Sequence, residues 1–410
     1  MEIRDLRARQ IFDSRGVPTL EVRLTLADGS VGIGSAPSGA STGSNEAKEL
    51  RDGGDAYGGR GVGRAIENVN GPIRAALIGM DAADQTRVDA RLCELDGTPD
   101  KSKLGGNALI AASWAAADAA AHSAGMELFR WLGGAQARQM PCPMFNVVNG
   151  GRHADNNLEI QEFMFVPSGA DSFHEAMRMG TECYQALKKL LHEAGLSTAV
   201  GDEGGFAPNL SRDEEALEWM LRAVETAGWK PGEDVCLALD CAAAEWADGD
   251  GYCQPKSGAR FRRGELIEFY DALSRRFPLI SIEDPLGEED FEGFREITDA
   301  LGGDLMIVGD DLFTTNAERL FRGAALGAAN AVLVKPNQIG TVSETLETVS
   351  LAQRSAYSVV VSHRSGETLS SAIADLAVAV GAEYIKAGAP CRGERLAKYN
   401  RLMEIEEMIY

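Results

Sequence analysis

Apolar and polar positions change rhythm several times along this chain. EVRLTL (21–26) alternates with a period of two, DG at 28–29 is a hairpin turn signal, and SVGIGSA follows. Residues 1–35 are therefore predicted to be strands. Residues 36–63 are rich in Gly, Ser and Asp and read as one long loop. A loop of that length in a compact domain usually has a functional task or moves. From 63 to about 130 the pattern is helical and rich in alanine. Its most apolar stretch, ALIAASWAAADAAA (108–121), is too short to span a bilayer and contains Asp118, so a core helix is predicted and no membrane span.

Beyond a linker at 133–143 the rhythm changes again. Short apolar runs recur, each followed by a helix-like segment: VCLALD (235–240), LISIED (279–284), LMIVGDD (305–311), AVLVK (331–335), SVVVSH (358–363) and EYIKAG (383–388). Strands alternating with helices imply parallel βα units, and a (β/α)8 barrel takes about 250 residues. The expected organisation is an α+β N-terminal capping domain over 1–132 and a TIM-like (β/α)8 barrel over 133–410. A doubly wound sheet would also gather its strand ends at one site.

Each run closes on a titratable residue: Asp240, Glu283, Asp310, Lys335, His363 and Lys386. Successive separations are 43, 27, 25, 28 and 23 residues, about one βα unit each. In a parallel barrel the C-terminal strand ends converge on one face, so these residues are expected to share a site. Asp240, Glu283 and Asp310 would repel one another there. A divalent cation relieves that repulsion, and an all-oxygen set suits Mg²⁺ or Mn²⁺ better than zinc. Pairing of each carboxylate with Arg or Lys is the other reading. Lys335 and Lys386 read equally as bases or as salt-bridge partners.

Three loops add candidates. GDEGGFAP (201–208) sets Glu203 between glycines, which permits a tight turn presenting a carboxylate. SGASTG (38–43) offers hydroxyls and backbone groups to a metal or phosphate, but lacks the lysine of a P-loop. SHRSGET (362–368) places His363, Arg364 and Ser365 after a strand, a natural clamp for phosphate or carboxylate. GGRGVG (58–63) fails the dinucleotide fingerprint, and no G-x-S-x-G elbow supports a serine triad.

Composition narrows the field. The chain has 410 residues and a net charge of −22, so no bulk grip on nucleic acid is expected. A small anion would need a locally positive pocket. Seven cysteines without a Cys-x-x-Cys pair read as reduced thiols. The first residues, MEIRDLRARQ, carry charge and no apolar run, so no secretory signal and a cytoplasmic location are expected.

In order, FDSRGVPTLEV, PSGASTG, LDGTPDKSKLGGNA, NGGRHADNNLEIQEFM, GDEGGFAPN, ALDCAA, SIEDPL, GDDLFTTN, LVKPNQIGT, SHRSGET and IKAGAPCRGERLAKYN resemble the enolase family over nearly the whole chain. The resemblance implies an enolase-type barrel, a homodimer or higher homo-oligomer, and Mg²⁺-dependent, reversible dehydration of 2-phosphoglycerate to phosphoenolpyruvate. It implies Mg²⁺ on Asp240, Glu283 and Asp310, and a second Mg²⁺ on Ser41 in the substrate complex. Lys335 would be the base, Glu203 the acid and Glu162 its support. His153, Gln161, His363, Arg364, Ser365 and Lys386 would bind a small phospho-carboxylate. Several positions depart from the usual pattern: Pro336 after the base, Ala244 and Trp246 around Glu245, Leu369-Ser370 after SHRSGET, and Ala387 and Gly393 near Lys386. They leave a second reading, a specialised paralogue acting on a related phospho- or phosphono-carboxylate, as carboxyphosphonoenolpyruvate synthases do. A third is a non-catalytic binding role, which an intact Glu203, Lys335 and carboxylate trio argues against.

Overall fold

The computed structural model describes residues 1–40, 43–249 and 251–410. Strands β1 (Ile3–Phe12), β2 (Pro18–Leu26) and β3 (Val31–Ser35) form an antiparallel meander. Leu6, Leu20, Val22 and Leu24 are fully buried. The meander packs against the helix Gly106–Ser123, which contains the predicted apolar stretch. Strand and helix approach closely because both offer small residues. A Cβ added at Gly34 would lie 2.1 Å from the Ala111 carbonyl oxygen.

The predicted long loop crosses to the second unit. Ser38 and Gly366 exchange two backbone hydrogen bonds of 2.8 Å, and Ala47 N donates to Gln338 O at 2.7 Å. Ser38 and Ala47 thus dock the loop on the barrel, while Lys48 pairs with Asp100 and Gly106 of the N-terminal unit and Asp52 and Gly53 close on Gly61 and Gly59 within the loop.

Residues from Cys142 onward build a closed eight-stranded barrel. Its strands are β4 (Cys142–Asn149), β5 (Glu162–Val166) and β6 (Cys236–Asp240), then β10 (Leu279–Glu283), β11 (Met306–Gly309), β12 (Ala331–Val334), β13 (Ser358–Ser362) and β14 (Tyr384–Lys386). A small antiparallel sheet, β7 (Ala247–Asp248), β8 (Gly251–Cys253) and β9 (Arg260–Phe261), is inserted after β6. The six predicted runs become β6 and β10 to β14. Met164, Val166, Ala238, Val308, Leu333 and Val360 fill the barrel's interior.

The expectation of uniformly parallel βα units needs one correction. β5 runs antiparallel to both β4 and β6. No α-helix separates β4 from β5, and two follow β5 in succession, Phe173–Glu193 and Asp213–Thr226. A parallel pair needs a long crossover, whereas an antiparallel pair closes through a loop. The reversal puts the first residue of β5, Glu162, at the end where the other strands finish: Glu162 pairs in register with Asp240 and with Asn149.

Candidate active site

The strand ends do meet. One pocket is lined by Glu162, Asp240, Asp310, Lys335, His363, Arg364, Ser365 and Lys386, together with His153, Gln161 and Glu203 from loops. Glu283 lies directly behind them, in contact with Lys386. Every sequence-predicted site residue within the described residues therefore falls at this one place. Ser41 lies outside the described residues.

Glycine geometry shapes the turn that carries Glu203. Gly204 has a φ of +89°, which favours glycine, and a Cβ at Gly205 would lie 2.3 Å from Asn149 Oδ1. Gly201 N closes the turn onto Gly205 O at 2.8 Å. Glu203 Oε2 accepts a 2.8 Å hydrogen bond from Asn146 Nδ2 on β4. His363 Nε2 stands 3.5 Å from the same oxygen.

His363 has a defined proton arrangement. The buried Arg395 contacts its Nδ1 at 2.5 Å and can only donate, so Nδ1 accepts and the ring proton faces Glu203. Burial, reinforced by Arg395, drives the His363 pKa down to about 4. His153 behaves oppositely. Burial opposes its charge, but Glu203 and Glu162 outweigh that and lift it to about 9. Neither His153 ring nitrogen has a hydrogen-bond partner among the described residues. Its Nδ1 stands 3.4 Å from Glu162 and 3.8 Å from Glu203. The two carboxyls part company: burial and the nearby Glu203 raise Glu162, while His363 and His153 overcome burial and hold Glu203 well below the ordinary range.

The lysines stand among the acids. Lys386 Nζ lies 3.0 Å from Glu162, 3.3 Å from Asp240 and 2.8 Å from Glu283. Burial works against its charge, yet three carboxylates lift its pKa well above the usual value. Lys335 Nζ donates to Asp310 Oδ2, and despite burial Asp310 lifts its pKa to about 12. Arg364 and Lys386 push the other way.

Negative charge remains in surplus. Burial and Asp240 raise Glu283 well above a normal carboxyl despite Lys386. Burial and Asp310 raise Asp311 to about 8. Among the described residues, Asp284, Asp310 and Asp311 bring oxygens within 4.8 Å of one another, and so do His153, Glu162 and Glu203 with their ligand atoms. Asp240 and Glu283 instead share Lys386. Buried, oxygen-only and more negative than its lysines can offset, the cluster fits a hard divalent cation.

Sequence reasoning missed the supports. Asp284 accepts from Asp310 N at 2.9 Å and Asp311 N at 2.8 Å, fixing that turn. Glu46, from the long loop, clamps Arg364 with both oxygens, at 2.9 and 3.1 Å. Gln338 donates to Asp310 Oδ1 at 2.9 Å. Asp284 adjoins a strand-end acid, which was a usable signal; Glu46 sits in a loop whose polar residues look alike. Pro336, a departure that raised doubt about the base, occupies the first position of the short helix Pro336–Ile339. There a missing N–H costs nothing, and Lys335 N is held by Thr315 Oγ1 at 2.9 Å.

A family model described as the enolase N-terminal domain matches residues 3–132, and one described as the enolase C-terminal TIM barrel domain matches residues 137–410. A curated relative from Acidothermus cellulolyticus, named Enolase, is 54% identical over 408 residues, which is 99% of this chain and 94% of the relative.

Proposed function

Since the chain belongs to the enolase family, we propose a residue-level mechanism for the activity that membership carries: Mg²⁺-dependent dehydration of 2-phosphoglycerate to phosphoenolpyruvate, a carbon–oxygen lyase reaction. The observation that carries it is the meeting, in one buried pocket, of a lysine, a separate carboxyl pair and a surplus of acidic oxygens.

Asp240, Glu283 and Asp310 would hold one Mg²⁺, and Ser41 a second in the substrate complex. Bound Mg²⁺ supplies positive charge where the substrate carboxylate gains negative charge as its α-proton leaves. Arg364 and Ser365 suit the phosphoryl group, and Lys386 the carboxylate. Gln161, His153 and His363 surround the remainder.

Lys335 Nζ takes the α-proton. Asp310 is what holds that ammonium protonated; with the Asp310 oxygens engaged elsewhere, Lys335 is left beside Arg364 and Lys386, which lower its proton affinity. On the other side of the pocket, Glu203, itself held ionised, relays a proton from its neighbours to the hydroxyl, which leaves as water. Its neighbours Glu162 and His153 are both shifted toward their protonated forms and act as the proton store.

Pro336 gives the phosphono-carboxylate alternative no support, because it leaves the Lys335 backbone anchored. The reading keeps a domain boundary at 132/133. It also includes a homo-oligomer, supported by Ile33 and Leu369, which are 47% and 75% exposed and line one surface cleft. A cytoplasmic location is supported by seven unpaired cysteines. Among the described residues, no helix is long and apolar enough to cross a membrane. Appearance of the absorbance of phosphoenolpyruvate, whose C=C is conjugated with its carboxylate, from 2-phosphoglycerate, with Mg²⁺ and with chelator, tests the whole reading. Metal-dependent turnover is expected, and folded, metal-loaded protein without turnover would refute it.

A further inference from the structure

Arg152 takes no part in the mechanism above and does not itself line the pocket, yet it adjoins two residues that do, His153 in sequence and Glu245 through a hydrogen bond. It lies in the one-turn segment Gly151–His153, between a glycine with φ of +51° and the pocket residue His153. Its guanidinium Nη1 donates to Glu245 Oε1 at 2.6 Å. Both side chains are open to solvent, 59% and 38% exposed, and Glu245 itself lines the pocket. The pair therefore links the turn that bears His153 to Glu245 across the rim of the pocket.

The electrostatic setting gives the pair a meaning. The chain carries a net charge of −22, and acids outnumber cations in the pocket. An anionic substrate must cross this negative field before it reaches Arg364 and Lys386, and Glu245 adds one more negative charge at the entrance. Arg152 is the cation that offsets it. An exposed ion pair is weak and exchanges partners readily, and a guanidinium binds a phosphoryl group or a carboxylate equally well through its fork. A single charge at a cleft mouth acts mainly on capture, in a way that salt screens.

We propose that Arg152 is a substrate-capturing residue: its guanidinium leaves Glu245 for the incoming phospho-carboxylate and delivers it toward Arg364, with Glu245 as the resting partner that competes for it. This rests on the phospho-carboxylate reading above. The competing explanation is a latch, in which the ion pair only steadies the turn bearing His153.

The two explanations give opposite signs for two variants that break the same bond. Steady-state turnover of 2-phosphoglycerate with Mg²⁺ is measured at low and high ionic strength for the wild type, Arg152→Ala, Arg152→Lys and Glu245→Gln. If Arg152 captures substrate, Arg152→Ala raises KM about threefold to tenfold at low ionic strength, with kcat changing less than about twofold. High salt shrinks that difference, Arg152→Lys recovers most of it, and Glu245→Gln lowers KM. A latch makes Arg152→Ala and Glu245→Gln shift KM in the same direction, with little salt dependence. That result, or an Arg152→Ala variant indistinguishable from wild type, overturns the proposal while leaving the activity in place. Absence of turnover in the wild type would instead refute the underlying reading, and the proposal with it.

Discussion

At the scale of single residues, the pocket works by unequal treatment of like groups. Glu162 and Glu203 are both buried carboxyls near His153, yet one is pushed toward its neutral form and the other held ionised, because His363 faces only Glu203. Lys335 and Lys386 are both buried, but Lys335 donates to one carboxylate, Asp310, where Lys386 stands among three. Lys335→Ala is expected to cut turnover by at least ~10²-fold to 10⁴-fold. Circular dichroism and calorimetric Mg²⁺ titration should show fold and metal affinity largely intact; unchanged activity would refute its role as base. A second expectation concerns a group outside the reaction. Asp213 Oδ1 accepts from Glu159 N at 2.9 Å and Ile160 N at 3.3 Å, and burial lifts its pKa to about 7. A folded pKa above the unfolded value means the native state favours the proton, so stability is lost as pH rises from about 4 to about 7. Asp213→Asn keeps the accepting oxygen and removes the charge. Its unfolding free energy should vary less between pH 5 and pH 8 than wild type, by a few kcal/mol at most. Urea unfolding at both values checks this, and equal slopes would contradict it.

At the scale of elements, what the sequence displayed and what it concealed have physical reasons. The six strand ends were legible because each apolar run stops at a charge, and a buried charge at that place needs a purpose. The reversed β5 was not legible, since strand direction leaves no trace in residue pattern; the missing helix between 150 and 161 was the available clue. The tightness of β3 against Gly106–Ser123 was half legible. Alanines announced a core helix, but the demand for glycine at 34 arises from a partner 77 positions later, Ala111. Gly34→Ala is expected to destabilise by about 1–3 kcal/mol through overpacking, measured by denaturant unfolding. The role of Glu46 was hidden for a similar reason. Its partners Arg364 and Gln338 lie some 300 residues away, and only the folded loop brings them together. Glu46→Gln should loosen the Arg364 fork, raising KM for substrate about tenfold and lowering stability, since a buried guanidinium loses the carboxylate that grips it with both oxygens. Unchanged KM would show that the fork is held by other contacts.

At the scale of the whole molecule, one principle connects an acidic chain with an anionic substrate. The N-terminal unit contributes the long loop and Glu46, and the barrel contributes the converging strand ends, with β5 turned over to add Glu162. The result is a buried cluster too negative for its own lysines to balance. A divalent cation held there would convert a repulsive site into one suited to a phosphorylated carboxylate. Activity is therefore expected to depend on the metal. The most direct test is turnover of 2-phosphoglycerate by the purified protein, followed through the absorbance of phosphoenolpyruvate, first with Mg²⁺, then with chelator, then with Mg²⁺ restored. Rapid turnover that chelator abolishes and Mg²⁺ restores is the expected result. Turnover that persists undiminished in chelator, or none at all from folded protein saturated with Mg²⁺, would contradict the account.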